Sequence, residues 1–209
     1  MIIETFPVGM LQCNCTILGD EQTREAMVVD PGDDPNVILA RLHKHQLSLK
    51  QIVCTHTHID HVGAIFELQE KSGTAAAIHK ADLFLFDKLD VQAQWIGMPT
   101  PRRGAIDHYF DDGGAVSVKG VEIGVIHTPG HTPGSSSFIL SGDQPILFTG
   151  DTLFQRSIGR TDLWGGSYPQ IIHSIENRLL TFDDDTLVIS GHGPSTTIGN
   201  ERRHNPFLK

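Results

Sequence analysis

Cysteine, positive charge and long apolar runs are all scarce in this chain of 209 residues, and each shortage removes a class of protein. Cysteine occurs three times, as Cys13, Cys15 and Cys54. An odd and small number makes no disulfide framework and fits a reducing compartment. Lys and Arg total 16 against 25 Asp and Glu, a formal net charge of −9. Gripping a nucleic-acid backbone needs a cationic surface, so no nucleic-acid partner is expected. No apolar run reaches membrane-spanning length, and Met1-Ile2-Ile3-Glu4-Thr5-Phe6-Pro7 lacks the basic segment and apolar core of a secretory signal. The expectation is a cytoplasmic protein with no membrane partner, monomeric by default. The balance of 39% hydrophobic to 20% charged residues is that of an ordinary globular chain, long enough for one domain over 1–209 with a sizeable core.

What is abundant is punctuation. Short apolar runs bounded by Gly, Asp and Pro open the chain at 2–6, 15–18 and 26–30, and read as an antiparallel meander. Asp30-Pro31-Gly32 turns the chain, and Pro35 opens a helix with Ile38, Leu39 and Leu42 on one face, ending near His45. A buried strand at 51–54 follows, then a helix over 61–72 stopped by Gly73, a strand at 75–79 and a helix over 81–91 with Leu83, Phe84 and Phe86 on its apolar side. Residues 92–107 have no apolar period and read as a long loop, either a lid carrying Trp95 and Met98 or a loop packed on itself. Strands at 115–118, 121–127, 136–140, 146–148 and 187–189 make up the second half. Ser167-Tyr168-Pro169-Gln170 has the form of a capping box opening a helix. Strands followed by helices, twice over, predict two sheets face to face with helices outside, an α/β sandwich.

One stretch carries the chemistry. His56-Thr57-His58-Ile59-Asp60-His61 concentrates three imidazoles and a carboxylate beyond the end of a strand. Such a set suits zinc or a borderline first-row ion. Three further strands end in glycine and a donor: Gly130-His131, Gly150-Asp151 and Gly191-His192. Seven donors are the count for two ions sharing one carboxylate. We assign His56, His58 and His131 to the first ion, Asp60, His61 and His192 to the second, and Asp151 to the bridge. Cys13 and Cys15 alternate as strand residues do and are expected to be buried, not ligating.

With Thr55 in front of that motif and His131, Asp151 and His192 at these intervals, the chain resembles the metallo-β-lactamase superfamily. The resemblance implies an αββα four-layer sandwich of two mixed β-sheets flanked by helices, with two divalent metals at one edge, zinc first and iron or manganese possible. Thr128-Pro129-Gly130-His131-Thr132-Pro133-Gly134-Ser135, Gly150-Asp151-Thr152-Leu153-Phe154 and Gly159-Arg160-Thr161-Asp162 are similar to glyoxalase II-like hydroxyacylglutathione hydrolases, in particular their short bacterial branch. A glutathione thioester such as S-lactoylglutathione is the implied substrate. The helical carboxyl-terminal region of the longer enzymes is missing, and their glutathione-contacting Tyr corresponds to Pro194. Arg160 either holds a substrate carboxylate or pairs with Asp162. Arg202 and Arg203 are either anion contacts or a solvated tail. Asp30 is expected to support the site from behind, and His127 to complete a strand.

Persulfide dioxygenases resemble the chain too, Gly-Arg-Thr-Asp included, and imply one Fe(II) on His56, His131 and Asp151. A phosphodiesterase or nuclease on the same fold is a third class, disfavoured by the acidic balance. A closed structural zinc site, which would use four ligands and often cysteines, fits least.

Overall fold

The computed structural model describes residues 1–208. In the first sheet β1 (Ile2–Val8), β2 (Cys13–Gly19) and β3 (Glu25–Val29) form the expected antiparallel meander. β4 (Ser48–Val53), β5 (Ala75–His79) and β6 (His108–Phe110) continue it in parallel. Parallel neighbours need crossovers, and helices supply them. α1 (Pro35–Lys44) joins β3 to β4, α2 (Ile59–Val62) and α3 (Ile65–Ser72) join β4 to β5, and α4 (Leu83–Phe86) and α5 (Leu89–Ile96) lie between β5 and β6.

The second sheet runs antiparallel through β7 (Ala115–Val118), β8 (Val121–His127), β9 (Ser136–Leu140) and β10 (Ile146–Gly150). A short ribbon of β11 (Leu153–Phe154) and β12 (Ser157–Ile158) follows. β13 (Leu187–Ser190) then pairs in parallel with β10, and β14 (Thr196–Thr197) closes the edge. Helix α6 (Tyr168–Ser174) precedes β13, and α7 (Ile198–His204) follows β14.

Three apolar cores separate four layers. Alternation along each strand sends one face inward, so Leu18, Met27, Val29 and Val53 meet Val121, Ile123, Val125 and Phe138 between the sheets. Phe110 meets Phe138 edge to face at 5.3 Å, worth about 0.5–1.5 kcal/mol beyond burial. The outer face of the first sheet packs on Ile38, Leu42, Ile65, Leu68 and Leu89 of its helices. The outer face of the second packs on Ile171, Ile175, Leu179 and Ile198. The fold is the αββα sandwich of two mixed sheets.

Several local expectations are corrected. The helix over 61–72 is two helices, broken where the Ala64 N–H turns aside to donate to the Pro31 carbonyl at 2.9 Å. The helix over 81–91 is a 3-10 turn at Lys80–Asp82 followed by α4 and α5, and Phe84 on its supposed apolar side is 40% exposed while Leu85 is buried. The loop assigned from residue 92 begins only at Gly97, whose left-handed φ of 68° ends α5. Ser167 makes no side-chain cap, so the capping box does not form; its N–H instead donates to the Gly130 carbonyl at 2.8 Å. Arg202 and Arg203 are neither tail nor anion contact. Arg202 donates to the carbonyls of Leu180 and Phe182, and Arg203 pairs with Asp184 at 2.7 Å, so both clamp α7 to the preceding turn.

Candidate metal centre

All four donor segments leave the carboxyl ends of strands at one rim of the sandwich. His56 and His58 follow β4, Asp60 and His61 ride on α2, and His131, Asp151 and His192 follow β8, β10 and β13. Backbone bonds lock the segments together. Ser136 donates to the Thr55 carbonyl at 2.8 Å, joining the two sheets, while Gly191 donates to Gly150 at 2.8 Å and Asn14 to Gly191 at 2.7 Å.

The seven donors expected from the sequence converge. Their donor atoms fall into three groups, each within 4.8 Å: His56, His58 and His131; Asp60, His61 and His192; and His56, His61 and Asp151. His131 Nε2 lies 2.9 Å from His58 Nδ1, and His61 Nε2 lies 3.3 Å from His192 Nε2. Asp151 stands between the halves. Its Oδ1 is 3.4 Å from His61 Nε2 and 3.7 Å from His192 Nε2, and its Oδ2 is 3.7 Å from His131 Nε2.

Two atoms test whether metal fits. His56 Nε2 and Asp151 Oδ1 are buried without a hydrogen-bond partner among the described residues. An orphaned buried polar atom costs about 1–3 kcal/mol, and a cation between them relieves both. Lone pairs converging from five rings and two carboxylates are what a divalent metal uses and what an apolar core avoids.

The backs of the rings fix which nitrogen faces inward. His131 Nδ1 donates to the Arg160 carbonyl at 2.7 Å, and His192 Nδ1 to the Leu11 carbonyl at 3.0 Å. His61 Nδ1 lies 3.1 Å from Asp30 Oδ2 and 3.5 Å from Cys13 Sγ. His56 Nδ1 meets Thr55 Oγ1 at 3.1 Å, and that hydroxyl donates to Asp30 at 2.8 Å. Asp30 therefore sits behind both halves of the donor set, in the supporting position expected of it. Such partners set tautomer and ring angle.

Electrostatics follow from the crowding. Burial, and then the surrounding imidazoles led by His61, hold His56 far below the ordinary histidine range. Burial and His131 depress His58 likewise. His61 and His192 are the exceptions: burial opposes charge on both, but the carboxylates of Asp30, Asp151 and Asp60 raise His61, and those of Asp60 and Asp151 raise His192. Burial works against the Asp151 carboxylate, yet His61, His131 and His192 hold its pKa below the ordinary range. Burial pushes the Cys13 thiol up to about 12, which keeps it a neutral buried group.

Two residues that sequence reasoning missed tie the ligand loops. Buried Asp82 accepts from Thr132 Oγ1 at 2.8 Å, the Gly134 N–H at 2.5 Å and the Thr57 N–H at 3.2 Å, so one carboxyl joins the loops of His56, His58 and His131. Buried Gln92 accepts from the Ile59 N–H at 2.9 Å and donates to the carbonyls of Leu85 and Thr57, fastening α5 to the same loop. A short polar residue inside an apolar helix was the available signal. Asp82→Asn turns an acceptor into a donor facing donors. Its expected effect is a loss of about 1–3 kcal/mol in chemical denaturation and of about tenfold in metal affinity by chelator competition. Unchanged values in both would remove Asp82 from this role.

In front of the donors lies a cavity of about 510 Å³, with His58, Asp60, His131 and Asp151 at its floor and Arg160 in its wall. The Arg160 guanidinium forks onto Asp162 at 2.9 Å on both arms. Among the described residues no helix is long and apolar enough to cross a membrane.

The comparisons agree with this geometry. Residues 8–192 match the family model described as the metallo-beta-lactamase superfamily. The chain is 40% identical over its whole length to a Haemophilus influenzae protein named hydroxyacylglutathione hydrolase GloC, covering 98% of it. It superposes on a solved structure called BLEG-1 B3 metallo-beta-lactamase with a TM-score of 0.91 and 36% identity, covering 99% of both chains. It superposes on one described as TTHA1623 in a di-iron-bound form with a TM-score of 0.88 and 36% identity, covering 98% of this chain and all of that one. A metallo-hydrolase donor set that supports divalent metal binding, on this fold and with these relatives, establishes that the chain belongs to the metallo-beta-lactamase superfamily.

Proposed function

We propose that the chain hydrolyses an acyl thioester, with S-lactoylglutathione the leading substrate and lactate and glutathione the products. In this reading His56, His58 and His131 would hold one divalent ion, Asp60, His61 and His192 would hold a second, and Asp151 would serve both; zinc is the first choice, with iron or manganese as alternatives. The reading is carried by the orphaned oxygen of Asp151, a residue at the floor of a cavity, and the orphaned nitrogen of His56, whose donor atom lies within 4.8 Å of the Asp151 carboxylate, in a chain 40% identical throughout to a protein named as a hydroxyacylglutathione hydrolase.

Ions bound there supply Lewis acidity, bringing the pKa of water towards about 7 and polarising a carbonyl oxygen. The chain's own groups do the positioning. Asp60, whose Oδ2 is 3.1 Å from His192 Nε2, faces the cavity floor and would accept a hydrogen bond from the attacking water, aiming its oxygen at the thioester carbon. Asp151 keeps the two halves in register through its two oxygens. Apolar walls keep bulk water away, which strengthens each electrostatic contact inside. The leaving thiolate, with a pKa near about 8.5, departs without an acid of its own.

Metal-stripped protein reloaded separately with Zn²⁺, Mn²⁺ and Fe²⁺ is expected to bleach the thioester absorbance of S-lactoylglutathione, and His58→Ala to abolish the loss. No bleaching by any fully loaded form would sink the substrate assignment. The second reading, a single-ion Fe(II) persulfide dioxygenase on His56, His131 and Asp151, shares its metal with the TTHA1623 relative but uses one iron where that relative binds two, and it leaves Asp60, His61 and His192 without a task. Oxygen uptake with glutathione persulfide would favour it. Turnover of a chromogenic β-lactam alone would point instead to the activity named for the BLEG-1 relative.

A further inference from the structure

We infer that the cavity over the metal centre is an acyl-group pocket built for a bulky apolar substituent, aryl or branched alkyl, held against the paired rings of Trp95 and Trp164. This rests on the thioester reading and names the class of acyl group that reading leaves open.

The pocket's walls carry the inference. Its volume of about 510 Å³ is in the range that encloses ligands far larger than a lactoyl group. Leu11, Leu85, Ile96, Phe154, Ile158 and Leu163 line it beside the two tryptophans, whose rings meet at 4.0 Å and 61°. Trp95 is 56% exposed and Ile96 42% exposed. Large apolar side chains left open around a concavity mark a binding surface, not a core. Charge points the same way. The charged side chains lining the cavity are Asp60, Asp151 and Arg160, and Arg160 is already neutralised by Asp162. The glutathione moiety brings two carboxylates and finds no free cation among these walls. It therefore lies along the mouth, and the acyl group goes inside.

Both rings stand on fixed supports. Gln92, one turn before Trp95, is bonded to the ligand loop from both ends of its amide. The segment carrying Trp164 is held by Gly159 N–H to the Thr152 carbonyl at 3.3 Å and Ser167 N–H to Gly130 at 2.8 Å. A ring slot set in advance loses little freedom when filled, so it discriminates by shape.

Trp95 and Trp164 are the chain's two tryptophans, so intrinsic fluorescence reads this pocket directly. Metal-free protein is titrated with S-mandeloylglutathione and S-lactoylglutathione, which differ by phenyl for methyl; zinc-loaded protein is then assayed on both. We expect the phenyl compound to bind about tenfold more tightly by fluorescence and to have a kcat/KM about tenfold higher. Trp164→Ala should collapse both ratios towards one, and Trp164→Phe should restore most of them, with thermal unfolding checking that each variant is folded. Equal affinities, a preference for lactoyl, or a phenyl preference that survives Trp164→Ala and Trp95→Ala would overturn the pocket while leaving thioester hydrolysis intact. A fluorescence preference with hydrolysis of neither compound would overturn the hydrolase reading while leaving the apolar pocket intact.

Discussion

Asp151→Ala lowers the kcat/KM for thioester hydrolysis by about a thousandfold, equivalent to about 4 kcal/mol of transition-state stabilisation, and the bound metal falls well below that of the unaltered chain. The expectation follows from position. Asp151 is a carboxylate that turns one oxygen to each half, with Oδ1 towards His61 and His192 and Oδ2 towards His131. Removing any single histidine leaves one half complete; removing Asp151 opens both. Its carboxylate also carries charge that five imidazoles cannot supply, so Asp151→Asn, which keeps the shape, is expected to fall nearly as far. Stability should fall as well. Without metal, the Asp151 carboxylate faces the His61, His131 and His192 rings, which hold its pKa below the ordinary range, so truncating it removes their buried counter-charge. The metal-free variant is therefore expected to melt below the metal-free parent, and the rise in melting temperature on adding metal is lost. Metal analysis, differential scanning calorimetry and the thioester assay together check this. Full metal content with full turnover would show that Asp151 is not shared.

The donor cluster could be read from the chain because its signal is local. Six consecutive residues present four donors, and each remaining donor follows an apolar run and a glycine, a pattern that survives without any knowledge of the tertiary fold. The sheets could be read for the same reason, since β8 alternates Val121, Ile123 and Val125 inward with polar or small residues between them. Where the reading failed, burial was inverted. In α5 the buried positions include Gln92 and the exposed ones Trp95 and Ile96, so the hydrophobic period that marks a helix is missing. The inversion is functional: Gln92 is turned inward to hold the ligand loop, and Trp95 outward to face the cavity. Helix α7 escaped for a related reason. Its buried anchor is Glu201, which accepts from Thr196 Oγ1 at 2.6 Å, Asn205 Nδ2 at 2.9 Å and the Arg156 N–H at 2.7 Å, and a buried carboxylate in a charged segment reads as solvated tail. Arg160 shows the limit of reading side chains at all. The contact that reaches the donors is its backbone carbonyl, on His131, and no sequence pattern marks a carbonyl.

Gly191→Ala is expected to cost about a hundredfold in turnover although it adds one methyl group and strains no dihedral. Gly191 lies outside the left-handed region, so alanine can adopt its backbone. The difficulty is what the new Cβ meets. It would collide with Asp151 Oδ1 and come within 2.8 Å of His61 Cε1, with the Gly150 backbone 3.1 Å away. None of the three can yield freely. The Gly191 N–H is bonded to the Gly150 carbonyl at 2.8 Å and its own carbonyl accepts from Asn14, so the strand end is fixed on both sides. His61 is fully buried with its other nitrogen against Asp30. The softest element is the Asp151 side chain, and turning it away moves the oxygen that faces His61 and His192. A displacement of about 1 Å at such a centre is enough for about a 10²-fold loss. The loss should be local: the variant keeps its circular dichroism and binds less metal in the half formed by Asp60, His61 and His192. Gly142→Ala is the matched control, because a Cβ there meets nothing within 4 Å, and it should leave metal content and turnover unchanged. If Gly191→Ala behaved like that control, the rim would have slack, and the glycine before each distant donor would be a turn residue instead of the clearance that lets the backbone pass the centre.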